Sequence, residues 1–291
     1  MALAQINRWP ELDRPVLVLG MEGWVDAGGA GSQAVSTLME AFPRELVATF
    51  DSDALIDHRS RRPIVRISHG IHGPLVWPEL RLYAATETGG RSLLILAGPE
   101  PDLRWHEWSA EVVSLGRRLG VELVIGLGAF PAPVPHTRPV RLAASGGNEQ
   151  LVGSIGFVPA TIDVPAGAQA VLEVAFDEGG IPAVGVWARV PHYVSGAAYP
   201  EAAAALLDKL GDLTGLHIET HLLHEAGRVT LEHIQTLIQQ SEEHQAMVRK
   251  LEAQHDSEVG APPTAFTDIP TGDEIAAELE KFLRGEGNRD G

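Results

Sequence analysis

Pro15-Val16-Leu17-Val18-Leu19-Gly20 decides the fold: a short run, apolar throughout, that leads into the glycine-dense segment Met21–Gly31. An amphipathic stretch follows, with Ala34, Val35, Leu38 and Met39 on one side. A strand without a polar face has no side to offer water, so it belongs in a sheet covered by helices on both faces. The same pattern recurs along the chain. Ser92–Ala97 (SLLILA) reads as a second buried strand, and Trp105, Trp108, Val112, Leu115 and Leu119 then mark a helix stopped by Gly120. Glu45–Phe50, Val121–Leu127 and Ala183–Ala188 read as further strands. Ile64–Ser68 and Leu80–Ala85 are expected to pair as an antiparallel excursion, because Gly70, Gly73 and Pro74 lie between them. The expected architecture is a three-layer α/β core over residues 1–215, with at least five strands in a largely parallel or mixed sheet.

From about Leu216 the texture turns helical and acidic, and residues 216–291 read as a separate C-terminal helical region. Residues 215–291 hold fifteen Asp or Glu against six Lys or Arg. Between Val229 and His255 the apolar positions Leu231, Ile234, Ile238, Val248 and Leu251 are interrupted at Ser241 and Gln245, too often for a coiled coil. Thr271 and Glu274 have capping-box spacing ahead of a closing helix with Ile275, Leu279, Phe282 and Leu283 on one face.

Composition excludes several classes. The net charge of −17 argues against a general nucleic-acid surface, which needs clustered cations. No apolar run approaches the ~20 residues of a membrane span. The first fifteen residues lack the apolar stretch of a secretory signal, and there is no cysteine. A cytoplasmic location without disulfides or a catalytic thiolate is expected. Only Lys209, Lys250 and Lys281 are lysines, so no lysine of the first two hundred residues can serve a nucleotide phosphate. No cofactor is implied.

Polar residues cluster just after the strands, where open α/β sheets bind ligands. Glu22 and Asp26 follow the first strand, Glu100 and Arg104 the Ser92–Ala97 strand, His136 and Arg138 the Val121–Leu127 strand, and His192 and Tyr193 the last. If these strands are parallel neighbours, the eight residues converge. His136 or His192 would then be the acid–base candidates, and Arg104 or Arg138 the anion ligands. The plainer reading is that these groups cap helices and fix turns. Arg138, with Pro139 after it and Pro135 shortly before, is expected to pair with Glu100, which lies between Pro99 and Pro101. Gly28-Gly29-Ala30-Gly31 resembles an anion-binding helix start, although Asp26 would cap that helix and repel phosphate. His217, His221 and His224 have i, i+4, i+7 spacing and would share a helical face, as weak metal candidates or as a polar stripe.

Several segments together carry a resemblance to a known family. They are Arg8-Trp9-Pro10-Glu11-Leu12, Gly23–Gly28, Trp77-Pro78-Glu79, Gly98–Trp105, Pro135–Pro139 and Val190–Val194. In this order they resemble the proteasome assembly chaperone family, in its actinobacterial branch, some of whose members are labelled ATP-grasp proteins. The resemblance implies a fold similar to purine nucleoside phosphorylases, C-terminal helices, and homo-oligomers, with a trimer as first choice. It also implies proteasome subunits as partners, although the terminal Asn288-Arg289-Asp290-Gly291 lacks the hydrophobic-Tyr-X tail of some relatives. A non-enzymatic assembly chaperone or scaffold is therefore the leading expectation. The alternative is a phosphorylase- or hydrolase-like enzyme, or small-anion binder, acting through the strand-end residues. Trp24, Trp77, Trp105, Trp108 and Trp187 are expected at subunit contacts.

Overall fold

A computed structural model describes residues 2–87 and 90–258. The elements, in chain order, are β1 (Ala4–Ile6), β2 (Val16–Glu22), α1 (Ala30–Ala41), β3 (Arg44–Phe50), α2 (Ser52–Leu55), β4 (Ile64–Ser68), β5 (Ile71–Val76), β6 (Arg81–Thr86) and β7 (Ser92–Pro99). Then follow α3 (Trp105–Arg118), β8 (Leu123–Ala132), β9 (Leu142–Gly146), α4 (Glu149–Ile155), α5 (Ala168–Glu178) and β10 (Ala183–Pro191). Three helices close the described chain: α6 (Pro200–Thr214), α7 (His221–Ile238) and α8 (Glu242–Glu258). The expected closing helix after Thr271 lies outside the described residues.

The main sheet has eight strands in the order β1-β3-β6-β7-β2-β8-β10-β9. Its centre, β7-β2-β8-β10, is parallel, with Val16 level with Leu93 on one side and Leu123 on the other. The strands read as uninterrupted apolar runs occupy these central places. Val16 and Val18 point to one face, under α1 and α6; Leu17 and Leu19 point to the other, under α3 and α5. Within β8, Val124, Ile125 and Leu127 are all buried, as a strand covered on both faces requires. Antiparallel strands flank this centre: β6 against β7, β3 against β6, β1 against β3, and β9 against β10. The sheet is therefore mixed.

Ile64–Ser68 does not pair with Leu80–Ala85 as expected. It pairs with β5 in a two-stranded ribbon separate from the main sheet, while β6 joins β3 and β7. The turn explains this: His69 and Gly70, with φ of 50° and 80°, make a tight two-residue reversal straight after β4. α7 and α8 are separate helices, broken near Ser241 where the apolar stripe is interrupted. Their Leu223, Ile234, Ile238, Val248 and Leu251 extend the core formed by α1, α6 and the sheet. Trp108, expected at a subunit contact, is fully buried beneath α3, with 0% exposure.

Candidate functional site

The carboxyl ends of β2, β8 and β10 open onto a cleft of ≈ 600 Å³. Its walls are mainly apolar: Trp24, Phe130, Phe157, Ile162, Val164 and Trp187, with Pro131, Pro133 and Pro165. Trp24 is 62% exposed, and Phe157, Ile162 and Val164 are also exposed. Glycine makes the floor possible. Gly128 lies level with Trp187 on the neighbouring strand, and a Cβ there would overlap the indole. Below the floor Glu173 is buried at 4% exposure, accepting from Gln169 Nε2 at 2.9 Å and Ser145 Oγ at 3.4 Å. Trp187 Nε1 donates to the same Ser145 Oγ at 3.1 Å. Burial raises the Glu173 carboxyl to about 7, opposed by the Gln169 and Ser145 bonds and helped by the Asp177 charge.

Two helices begin at the rim of this cleft, and each already carries an acid of the protein at its first turn. Asp26 accepts from Gly31 N at 2.7 Å and Ser32 N at 3.0 Å, at the start of α1. Glu100 accepts from Ala168 N at 3.1 Å, at the start of α5. A helix N-terminus attracts anions through its unpaired N–H groups, and here carboxylates fill those places. Gly28 and Gly29, with φ of 66° and 60°, supply the left-handed turn that brings Asp26 back over the helix. The glycine run thus serves capping. Glu22 is exposed at the end of β2, where its carbonyl accepts from Glu100 N at 3.1 Å.

The remaining candidates lie outside the cleft and are engaged elsewhere. His136 is buried; its N–H donates to Tyr193 Oη at 2.8 Å, its Nδ1 meets the same oxygen at 2.7 Å, and its Nε2 meets Gln235 Oε1 at 2.9 Å. Both contacts are met if Tyr193 donates to Nδ1 and the neutral ring donates through Nε2. Burial lowers the His136 pKa, which favours that neutral ring, and raises Tyr193. His192 packs edge-on against Tyr193, with Nδ1 3.4 Å from the Ala132 carbonyl. Arg104 starts α3 and pairs with Glu107, away from the cleft lining.

Arg138 does not pair with Glu100. It forms a fork with Asp256 of α8, at 2.9 and 2.7 Å, and reaches Glu252 at 3.3 Å. The Arg138 bonds hold Asp256 down at about 2. The expectation failed because two acids from a distant helix, Glu252 and Asp256, come closer than the proline-flanked Glu100, which α5 already occupies. The histidine triplet is not one face either: α7 starts at His221, so His217 precedes it. His217 and His221 both meet Glu219, whereas His224 bridges Glu201 and Asp208 of α6 at 3.1 and 3.0 Å. Desolvation alone would lower His224, but its bonds to Asp208 and Glu201 prevail and raise it. Among the described residues no group of three or more His, Asp or Glu is arranged to hold a metal ion.

Sequence reasoning did not reach Glu173, Gln169, Ser145 or the Phe157–Pro165 wall. Some signal was present: Gly126, Gly128 and Gly185 interrupt strands that are otherwise apolar, which marks close approach by another group. A Cβ at Gly126 or Gly185 would overlap the Glu173 side chain.

Fold and site together define a three-layer α/β protein with helical C-terminal cover and a mainly apolar cleft at its strand ends, whose Asp26 and Glu100 are committed to holding helices. Residues 20–238 match the PAC2 family, and the chain belongs to that family. A Corynebacterium glutamicum protein of unknown function is similar at 34% identity and a TM-score of 0.84, over 89% of this chain and 99% of that one. A Mycobacterium tuberculosis proteasome-assembly chaperone homologue is 31% identical with a TM-score of 0.75, over 80% of this chain and 99% of its own. An archaeal proteasome activator from Pyrococcus furiosus shares the fold at 16% identity, with a TM-score of 0.63 over 81% and 99%. No functionally curated protein matches. No helix among the described residues is long and apolar enough to cross a membrane.

Proposed function

We propose that this protein is a non-enzymatic, homo-oligomeric assembly chaperone or scaffold of the cytoplasm, which holds protein partners at the strand-end cleft and has proteasome subunits as its first candidate clients. The observation that carries this reading is the chemistry of the cleft. Its exposed surface is aromatic, aliphatic and proline-rich, the kind of patch that marks protein contact sites. The strand-end groups that the sequence offers for acid–base or anion chemistry are occupied: Asp26 and Glu100 cap helices, and His136, Arg138 and Arg104 are bonded within the chain. The similarity to the Mycobacterium tuberculosis proteasome-assembly chaperone homologue supports the choice of client. A trimer remains the expected assembly, on family resemblance.

The test is a pull-down from native lysate with the wild-type chain and with Trp24→Glu/Ile162→Glu. Proteasome subunits held by the wild type and lost by the variant are the expected result. Their absence from both would remove the proteasome as client. The phosphorylase-like alternative is tested by calorimetry with inorganic phosphate and nucleosides. Saturable binding abolished by a cleft substitution would favour it over the scaffold.

A further inference from the structure

Two glycines open a gap in the sheet, and a carboxyl fills it. Gly126 of β8 and Gly185 of β10 stand level on neighbouring parallel strands, and a Cβ on either would overlap the Glu173 side chain. Glu173 reaches in from α5 and is held by neutral donors, Gln169 Nε2 on one oxygen and Ser145 Oγ on the other. A buried carboxyl met by neutral groups is costly in its charged form. Burial accordingly lifts it to about 7, so both of its forms are populated near neutral pH.

The cluster reaches the cleft. Ser145, Gln169 and Trp187 all line it, and Ser145 is exposed. A serine hydroxyl has one hydrogen to give and two lone pairs to receive with. Trp187 Nε1 donates to one lone pair at 3.1 Å, and its indole is seated against Gly128, which fixes the serine oxygen in place. The contact with Glu173 Oε2, at 3.4 Å, decides where the serine hydrogen goes. A charged carboxylate can only accept, so the hydrogen turns down to it and the cleft is offered no donor from Ser145. A protonated Glu173 donates instead and fills the second lone pair. The serine hydrogen is then released and can turn into the cleft.

From this geometry we infer that Ser145 is a polar anchor of the cleft: it donates to a carbonyl-type acceptor on an otherwise apolar partner group, and a proton on Glu173 turns it on. The inference rests on the partner-holding reading above and supplies the chemistry of the group held. Asp177, one turn along α5, is the charge that acts on Glu173. β8 and β9 carry no titratable side chain. Arg189 lies four residues beyond Gly185 on β10, roughly 13 Å along the strand, and Glu22 ends β2. On α3, Glu107 bonds Arg104, Glu111 bonds Leu3 N and Ala4 N, Arg117 bonds the Gly179 carbonyl, and Arg118 lies over Trp9. The cleft lining adds Asp26, Glu100 and His255.

The test reads the serine first through its indole partner and then through a probe. The Trp187 indole N–H, assigned by its loss in Trp187→Phe, is followed by NMR against pH. One step near pH 7 is expected in the wild type and none in Glu173→Gln. Acetophenone and ethylbenzene, alike in shape and differing by the carbonyl, are then titrated at about pH 6 and about pH 8. The wild type should bind acetophenone roughly fivefold more tightly at the lower pH, the worth of one neutral hydrogen bond, and ethylbenzene equally at both. Glu173→Gln, whose amide donates to the serine at either pH, should keep the tighter value throughout, and Ser145→Ala the weaker one. Circular dichroism checks that each variant is folded. A Trp187 signal without the step overturns the inference. So does acetophenone binding that is equal at both pH values in the wild type, or that is undetectable. A pH dependence that survives Glu173→Gln also overturns it, by placing the titration on another lining group such as His255. Should Glu173→Gln fail to fold, a pH dependence retained by Ser145→Ala, a change at an exposed position, overturns it equally. The partner-holding reading falls separately, if a pull-down at about pH 6 captures nothing that Trp24→Glu/Ile162→Glu loses.

Discussion

The two sides of the strand-end rim solve different problems with similar residue types. On one side the β8–β9 loop is tied down by polar bonds: His136 to Tyr193 and Gln235, and Arg138 to Glu252 and Asp256. On the other, between β2, β8, β10 and the Phe157–Pro165 wall, Asp26 and Glu100 are taken up as helix caps and the lining is mainly apolar, with Arg189 and His255 among its polar members. The first side ties the loop to α7 and α8; the second leaves aromatic and aliphatic side chains exposed. Histidines and arginines beyond strand ends therefore mark chemistry only when nothing in the chain has already taken them.

The comparison breaks most visibly at Glu173, beneath the open side. Folding raises its carboxyl from the ordinary 4.5 to about 7. Between those values the folded chain holds a proton that the unfolded chain has released, so stability falls as pH rises from 4.5 through 7 and then levels. The loss amounts to about 3 kcal/mol. Glu173→Gln should flatten this slope and raise the thermal midpoint at pH 8 while leaving it unchanged near pH 4.5. A pH profile identical to the wild type would show that Glu173 does not titrate there.

Next in size is Tyr193→Phe on the closed side. It strands the His136 N–H and Nδ1 in a buried setting, at a cost of about 2 kcal/mol in urea denaturation. Burial also lowers the His136 pKa, so protonation there opposes folding and stability should decline as pH falls below 6.5. His136→Gln should lessen that acid-side decline. Arg138→Ala acts less on overall stability, because its pairs with Glu252 and Asp256 are solvent-screened. The expected result is faster amide exchange across α8 with a nearly constant melting temperature. A large drop in midpoint would mean that α8 is essential to the core. Trp24→Ala should have the smallest effect on stability, since the indole is mostly exposed, and should act only on partner capture. A marked loss of stability from that change would place Trp24 with the closed side.

The central strands were legible because uninterrupted apolar runs have one solution, a sheet covered on both faces. The helix caps were half legible: Asp26 has the right type and place, but nothing local told that Glu100 would cap α5, some 68 residues away. The ribbon partner of β4 was misread because Gly70, Gly73 and Pro74 were counted as loop, whereas Gly73 and Pro74 lie within β5. Local residue types thus determined the central strands, helices α1 and α3, and the family. Only the tertiary structure decided which charges meet. Helix and strand periodicity is written into neighbouring positions, but the bonds from Arg138 to Asp256 and from His136 to Gln235 depend on how α7 and α8 return over α6. Those partners lie 118 and 99 residues apart. Packing brings them together, and no local pattern encodes which distant group will reach a side chain first.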